Sequence, residues 1–250
     1  MLWMLLSAGL LLPACSTPHA IVERARTPTD TRDVPALIWR EFAVSVSGRP
    51  IRAATFGRGP RRVLWIGGIH GDEREGEIAT REILSAAGAV RAARERVTLT
   101  VVHDLNPDGT AMNVRGNANG VDLNRNFPAE NFRGERRFGF EPLSQPESKA
   151  VHDWIVREKP HLVIVLHSWR NARFVNYDGP ARHLAERFSE LSSYEVRSSS
   201  DLASTPGSLG SFVGGSLRRP ILTVEFERGR DPRAAWEETR AAFLAVIFES

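Results

Sequence analysis

Three short runs constrain this chain more than anything else in it: Val63 to Ile69 (VLWIGGI), His161 to Leu166 (HLVIVL) and Ile221 to Phe226 (ILTVEF). Each is too short for a helix of ordinary length and too uniformly apolar for a strand with one wet face. Such runs read as strands buried inside a sheet. Between them lie segments of helical spacing. Glu75 to Ala87 places Ile78, Ile83 and Leu84 on one side, and Glu147 to Val156, Ala181 to Leu191 and Pro232 to Phe248 read the same way. Val97 to Val102 adds a strand. Phe42 to Val46 and Ile51 to Phe56, flanking Ser47-Gly48-Arg49-Pro50, predict an opening hairpin. Strands alternating with helices predict an α/β fold, a three-layer sandwich around a mixed, mostly parallel central sheet.

The chain divides unevenly. Met1 to Leu12 (MLWMLLSAGLLL) is almost wholly apolar, long enough for the core of a signal peptide and too short to span a bilayer. It runs into Leu12-Pro13-Ala14-Cys15, which resembles a lipoprotein lipobox, so residues 1–15 are expected to be a lipoprotein-type signal with Cys15 as the lipidation site. Cys15 is the only cysteine, which excludes an internal disulfide. Residues 16–36 are polar and aperiodic and read as a flexible tether. One domain, 37–250, then carries the function. The location implied is the bacterial cell envelope, with a lipid-anchored periplasmic protein held at the membrane, and Ser16 after the cysteine points toward the outer membrane. Of 33 cationic residues only Lys149 and Lys159 are lysines, the formal net charge is +3, and no long block of like charge occurs. Nucleic acid is therefore not an expected partner.

In open α/β sheets, ligands sit beyond the carboxyl ends of the strands. His70 follows the run ending at Ile69, His167 follows HLVIVL, and Glu225 lies near the end of ILTVEF. A buried, hydrogen-bonded histidine at a strand end would explain each alone. Three such residues at one edge, with His70 and Glu73 three apart where a strand turns into a helix, point instead to a metal site. Two histidines and one carboxylate, His70, Glu73 and His167, suit a catalytic zinc with a position open for water.

Six segments in order carry a more specific likeness: GGIHGDE (67–73), LNPDG (105–109), GVDLNRNFP (120–128), LHSW (166–169), TPGSLGSF (205–212) and LTVEFE (222–227). Together they resemble the M14 zinc carboxypeptidase family, and most closely its murein peptide amidase branch. The resemblance implies a zinc carboxypeptidase-like fold and one Zn2+ per chain on His70, Glu73 and His167. It implies Glu225 as general base, Arg115 as the guanidinium that steadies the oxyanion, and Asn124 with Arg125 as the grip on a substrate carboxylate. Asp122 would be the acceptor that orients His70.

Three positions depart from the family pattern. Asp72 stands where many members carry an arginine, and Ala203 stands where the amidase branch often has a tyrosine. The loop from Leu202 to Gly215 is small and polar and forms no deep apolar pocket. For an enzyme at the envelope, the expected partner is a peptide substrate, probed best by peptidoglycan stem peptides, whose γ-D-glutamyl–diaminopimelate bond lies next to a free carboxylate. Two alternatives stay open at this stage: a deacylase of N-acyl amino acids of the succinylglutamate desuccinylase or aspartoacylase type, and a non-catalytic binding lipoprotein.

Overall fold

The computed structural model describes residues 38–249. The expected signal segment, Cys15 and the tether lie outside the described residues.

Alternation along the buried strands decides the architecture. In β3 (Arg61–Ile66), Val63 and Trp65 point to one core while Leu64 and Ile66 point to the other. In β5 (Leu162–Trp169), Leu162, Ile164 and Leu166 alternate in the same way with Val163 and Val165. Both faces are therefore covered. One face receives α1 (Glu77–Gly88), α5 (Arg182–Ser192) and α6 (Pro232–Phe248), with Ile83, Phe188, Trp236 and Phe243 packed on Trp65 and Phe226. The other receives α4 (Pro146–Glu158) through Val151 and Ile155, together with the segment holding Leu123 and Phe127 and the wide helical turn Ser211–Ser216. The fold is the expected α/β sandwich.

The sheet has eight strands in the order β1-β2-β4-β3-β5-β8-β6-β7. β1 (Arg40–Val44) and β2 (Pro50–Gly57) are antiparallel, and β2 pairs antiparallel with β4 (Val97–Val102). The central strands β4, β3, β5 and β8 (Ile221–Glu227) run parallel. Beyond them β6 (Phe174–Asp178) is antiparallel to β8, and β7 (Glu195–Ser198) is parallel to β6. Two short helices, α2 (Ala93–Arg96) and α3 (Pro107–Met112), complete the set.

Several boundaries shift by one to three residues, and three of the shifts have a clear local reason. β3 stops at Ile66 rather than Ile69, because Gly67 and Gly68 turn the chain away. Gly68 has φ +62°, and a Cβ on Gly67 would sit 2.6 Å from the His103 carbonyl oxygen. Helix α1 begins at Glu77, two residues late, since Glu75 is buried as an acceptor for the Gly229 N–H at 2.7 Å. β5 runs three residues past Leu166, because β8 continues to pair with it through His167↔Glu225, Ser168↔Phe226 and Trp169↔Glu227. His167 is therefore inside the strand and not after it. β6 and β7 were not expected at all.

Candidate active site

The strand register places the chemistry. His167 and Glu225 are direct neighbours on parallel β5 and β8. Both fall in phase with Val163, Val165 and Ile221, so their side chains leave the sheet on the α4 side, where irregular segments rather than helices lie over the strand ends.

Those segments are held by the motif residues. Asn106 caps α3, its Oδ1 accepting the Gly109 N–H at 2.9 Å, while its Nδ2 donates to the Arg115 carbonyl at 3.1 Å. The N–H groups of Leu105 and Asn106 donate to the carbonyls of Gly67 and Gly68, both at 2.9 Å, and so pin the turn that carries His70. A Cβ on Gly71 would lie 2.0 Å from the Gly109 carbonyl carbon, so the two loops fit only with glycine there. Asn126 is structural: its amide donates to the Phe138 and Glu141 carbonyls and Ser144 Oγ, and its oxygen accepts from Gln145 N–H and Ser148 Oγ.

The expected ligands come together. Donor atoms of His70, Glu73 and His167 all lie within 4.8 Å of one another. His70 Nδ1 is 3.0 Å from Glu73 Oε1, His167 Nδ1 is 2.9 Å from Glu73 Oε2, and the two Nδ1 atoms are 3.0 Å apart. Two imidazole lone pairs and a carboxylate converging on one point in a buried setting are the donor set of a catalytic zinc, so these residues fit the ion that the resemblance implies. The far ring nitrogens are engaged as well. His70 Nε2 meets Asp122 Oδ1 at 2.9 Å, and His167 Nε2 lies 3.0 Å from Asn124 Nδ2. The Asn124 oxygen also accepts the Leu209 N–H at 2.9 Å, so this amide ties the turn at 123–125 to both β5 and the 205–212 loop.

Arg115 is fixed by two carboxylates, its Nε donating to Asp122 Oδ2 at 2.8 Å and Nη1 to Glu73 Oε1 at 3.0 Å. Arg228 reaches the same place from the end of β8, donating to Asp72 Oδ2 at 3.1 Å. The guanidinium absent at position 72 is thus replaced beside Glu73 by one from a distant segment. Arg170 is exposed and meets none of these groups. Arg125 donates from Nη1 to the Asn124 carbonyl at 2.7 Å and meets no carboxylate.

Charge is uneven across the site. Burial alone would lower His70, but Glu73 and Asp122 raise it to about 9. Burial and the neighbouring His70 charge push His167 down to about 4. Glu73 and Asp122 are held well below the usual carboxylate range, since their cationic neighbours outweigh burial. Glu225 goes the other way. Burial, reinforced by the Glu73 charge, raises it to about 8, and its Oε2 is buried with no hydrogen-bond partner. A carboxylate poised near neutrality and left free at one oxygen has the character of a general base.

Beside these residues opens a cavity of about 510 Å³, lined by Arg115, Asp122, Arg125, Arg133, Glu135, Arg137, Phe138, Ser204 and Pro206, among others. Ala203 itself is exposed, and the 202–206 stretch meets the cavity through Ser204 and Pro206, with no tyrosine. Sequence reasoning missed Arg133 and Arg137. The signal was present in Phe132 to Phe138 (FRGERRF), where an arginine cluster follows the NRNFP motif.

Fold and site together define a metal-dependent hydrolase of the α/β class. A family model described as zinc carboxypeptidase matches residues 36–215, and the chain belongs to that family, M14, in its murein peptide amidase A-like branch. Murein peptide amidase A of Escherichia coli (strain K12) is 32% identical over 185 residues, covering 65% of this chain and 70% of the relative. Gamma-D-glutamyl-L-diamino acid endopeptidase 1 of Lysinibacillus sphaericus is 27% identical over 262 residues, covering 82% of this chain and 65% of that protein. The crystal structure of a murein-tripeptide amidase from Escherichia coli O157 superposes with a TM-score of 0.68 at 27% identity, over 85% of this chain and 92% of that one. The carboxypeptidase A of Helicoverpa armigera shares the fold, with a TM-score of 0.73 at 18% identity, over 84% of this chain and 67% of that one. The chain is a zinc-dependent metallopeptidase, a hydrolase.

Proposed function

We propose that this enzyme hydrolyses the γ-D-glutamyl–diaminopimelate amide bond of murein peptides, next to a free carboxylate. The observation that carries this reading is a partnerless, buried Glu225 that is the register neighbour of His167 in the His70–Glu73–His167 cluster and feels the charge of Arg115 and Arg125, which line the adjoining cavity. The names of the relatives, a murein peptide amidase and a γ-D-glutamyl-L-diamino acid endopeptidase, support the same substrate class.

In this reading His70, Glu73 and His167 hold the zinc, which when bound lowers the pKa of a water and polarises the scissile carbonyl. Glu225 accepts the proton of the attacking water and passes it to the leaving amine. Arg115, immobilised by Asp122 and Glu73, offers fixed positive charge to the oxygen that becomes anionic, and needs no reorganisation to do so. Asp122 orients the ring of His70 by accepting its Nε2–H. Arg125, whose guanidinium is lowered from its usual value chiefly by burial, faces the cavity with donors to spare for the substrate carboxylate. Asn124, anchored through its oxygen to the Leu209 N–H, offers its amide N–H groups to the same carboxylate.

The deacylase alternative is not favoured, since the complete NPDG and NRNFP segments and the murein peptide amidase relatives go with the peptidase branch, and the binding-protein alternative is not favoured, since the ligands and the base are all present. The test is direct. The zinc-loaded protein is incubated with murein tripeptide, murein tetrapeptide and N-acyl amino acids, and products are identified by mass. Release of free diaminopimelate from the tripeptide, with L-alanyl-D-glutamate as the other product, supports the assignment, and turnover of N-acyl amino acids alone overturns it.

The location belongs to the same proposal. Residues 1–15 act as a lipoprotein signal, Cys15 takes the lipid, residues 16–36 tether the catalytic domain 37–250, and the enzyme works in the periplasm at the membrane. Support comes from the LLPAC stretch and from a substrate that lies in the envelope. Among the described residues no helix is long and apolar enough to cross a membrane.

A further inference from the structure

The cavity beside the metal-binding residues holds more positive charge than one carboxylate requires. Four arginines line it, Arg115, Arg125, Arg133 and Arg137, against the carboxylates of Asp122 and Glu135. Two of the four are committed. Arg115 is fixed by Asp122 and Glu73, and Arg137 donates to Glu135 at 3.3 Å while its guanidinium lies 4.7 Å from the centre of the Phe138 ring. The other two are not. Arg125 donates only to a backbone carbonyl, and Arg133 has no hydrogen bond, ion pair or ring contact among the described residues. Two guanidiniums without carboxylate partners therefore open into one cavity of about 510 Å³, a size suited to a small polar ligand.

We propose that Arg133 is a specificity-determining residue that receives a second carboxylate of the leaving group, while Arg125 takes the first. The inference rests on the reading of the site as an amidase and names what that site selects: a leaving amine with two acid groups. Diaminopimelate is such an amine, and lysine, which matches it but for the second carboxylate, is not. Glu135 in the same wall suits the ammonium carried on the distal carbon of a diamino diacid. Arg133 and Arg137 are exposed, so their grip is screened by water and salt and acts on selection rather than on chemistry.

The experiment compares kcat/KM of the zinc-loaded full chain on γ-D-glutamyl-meso-diaminopimelate and γ-D-glutamyl-L-lysine peptides. The wild type is expected to favour the diaminopimelate peptide by about threefold to fivefold, as for an exposed charge-assisted contact. Arg133→Ala is expected to lose more on that peptide than on the lysine peptide and bring the ratio toward one. Arg133→Lys is expected to keep most of the preference, and 0.5 M salt to shrink it in the wild type. Equal losses on both peptides, or an unchanged ratio, overturn the inference. Calorimetric binding of free meso-diaminopimelate and of free lysine separates this from the amidase reading. If neither peptide is cleaved but diaminopimelate binds in a manner that Arg133→Ala weakens, the amidase reading fails and the inference stands. If diaminopimelate binds wild type and Arg133→Ala alike, the inference falls whatever the activity.

Discussion

Glu225 should leave two separable marks, one on stability and one on turnover. The residue is 8% exposed, and its pKa is raised from 4.5 to about 8 in the absence of a metal ion. The folded state therefore holds this proton longer than the unfolded chain does. Stability from the neutral carboxyl is complete below pH about 4.5 and is lost as pH rises toward about 8. With about 1.36 kcal/mol per pKa unit, the penalty is roughly 1 kcal/mol at pH 5, about 3 at pH 7 and about 4 at pH 8. Glu225→Gln keeps the shape and removes the titration. In metal-stripped protein, the stability advantage of the variant over the wild type should therefore grow by roughly 3 kcal/mol between pH 5 and pH 8. His70, raised to about 9, also loses stability with rising pH in both proteins, so most of its contribution cancels in the difference, apart from its charge coupling to Glu225.

The assay is urea unfolding of chelator-treated wild type and Glu225→Gln at pH 5, 7 and 8, with stability taken from linear extrapolation. Zinc restores positive charge beside the carboxylate and should flatten the difference. In the zinc-loaded proteins Glu225→Gln should keep its metal yet turn over at least ~100-fold more slowly, the usual contribution of a general base. Parallel pH profiles for the two metal-free proteins would refute the reasoning, because a carboxyl that titrates normally is neither desolvated nor poised. Unchanged turnover would move the base elsewhere, with Glu227 the next carboxylate along β8.

Other outcomes follow from the same geometry. The purified protein should hold about one zinc per chain, and a His70→Ala/His167→Ala variant should lose it, as read by metal analysis; stoichiometric zinc in the double variant would remove the site. Because zinc must displace the proton that His70 retains up to about pH 9, apparent zinc affinity should rise about tenfold per pH unit through neutrality, with proton release seen by calorimetry in buffers of different ionisation heat. Arg125→Ala, or amidation of the α-carboxylate of the terminal diaminopimelate, should each cost roughly 2–4 kcal/mol in kcat/KM, and both together little more than one; full additivity would separate Arg125 from that carboxylate. Cys15→Ala should move the protein from the membrane fraction to the soluble one, since acyl chains supply the anchoring; an unchanged partition would leave Met1 to Leu12 as the anchor.

The central strands were legible because burial on both faces leaves no room for polar residues. Val97 to Val102 was placed to the residue, and Pro232 to Phe248 likewise, since Pro at the first turn marks its start and Asp231 caps it, accepting the Ala234 N–H at 2.9 Å. β6 and β7 were not legible. Phe174–Asp178 is short, mixes Asn176 and Asp178 with apolar residues, and pairs only because β8 presents an open edge to it. The end of β5 failed for a related reason. His167 and Ser168 look like a loop in sequence, and only the partner strand β8 keeps them extended. Strand identity there is a property of the neighbour, which no local pattern carries.

The site shows the same division. His70, Glu73, His167 and Glu225 could be named from sequence because each sits on a segment whose chemistry is written in its own motif. The replacement of the guanidinium at position 72 could not. Asp72 alone reads as a lost contact, yet it recruits Arg228 from a segment 156 residues away, which also comes within 3.5 Å of Glu73 Oε1. A guanidinium from the end of β8 thus keeps positive charge beside the ligand although position 72 carries a carboxylate. Asp72 and Arg228 consequently act as one unit. Asp72→Ala should free Arg228 to lean further on Glu73, and removal of both should cost less than the sum of the single losses, as expected for residues that share a partner.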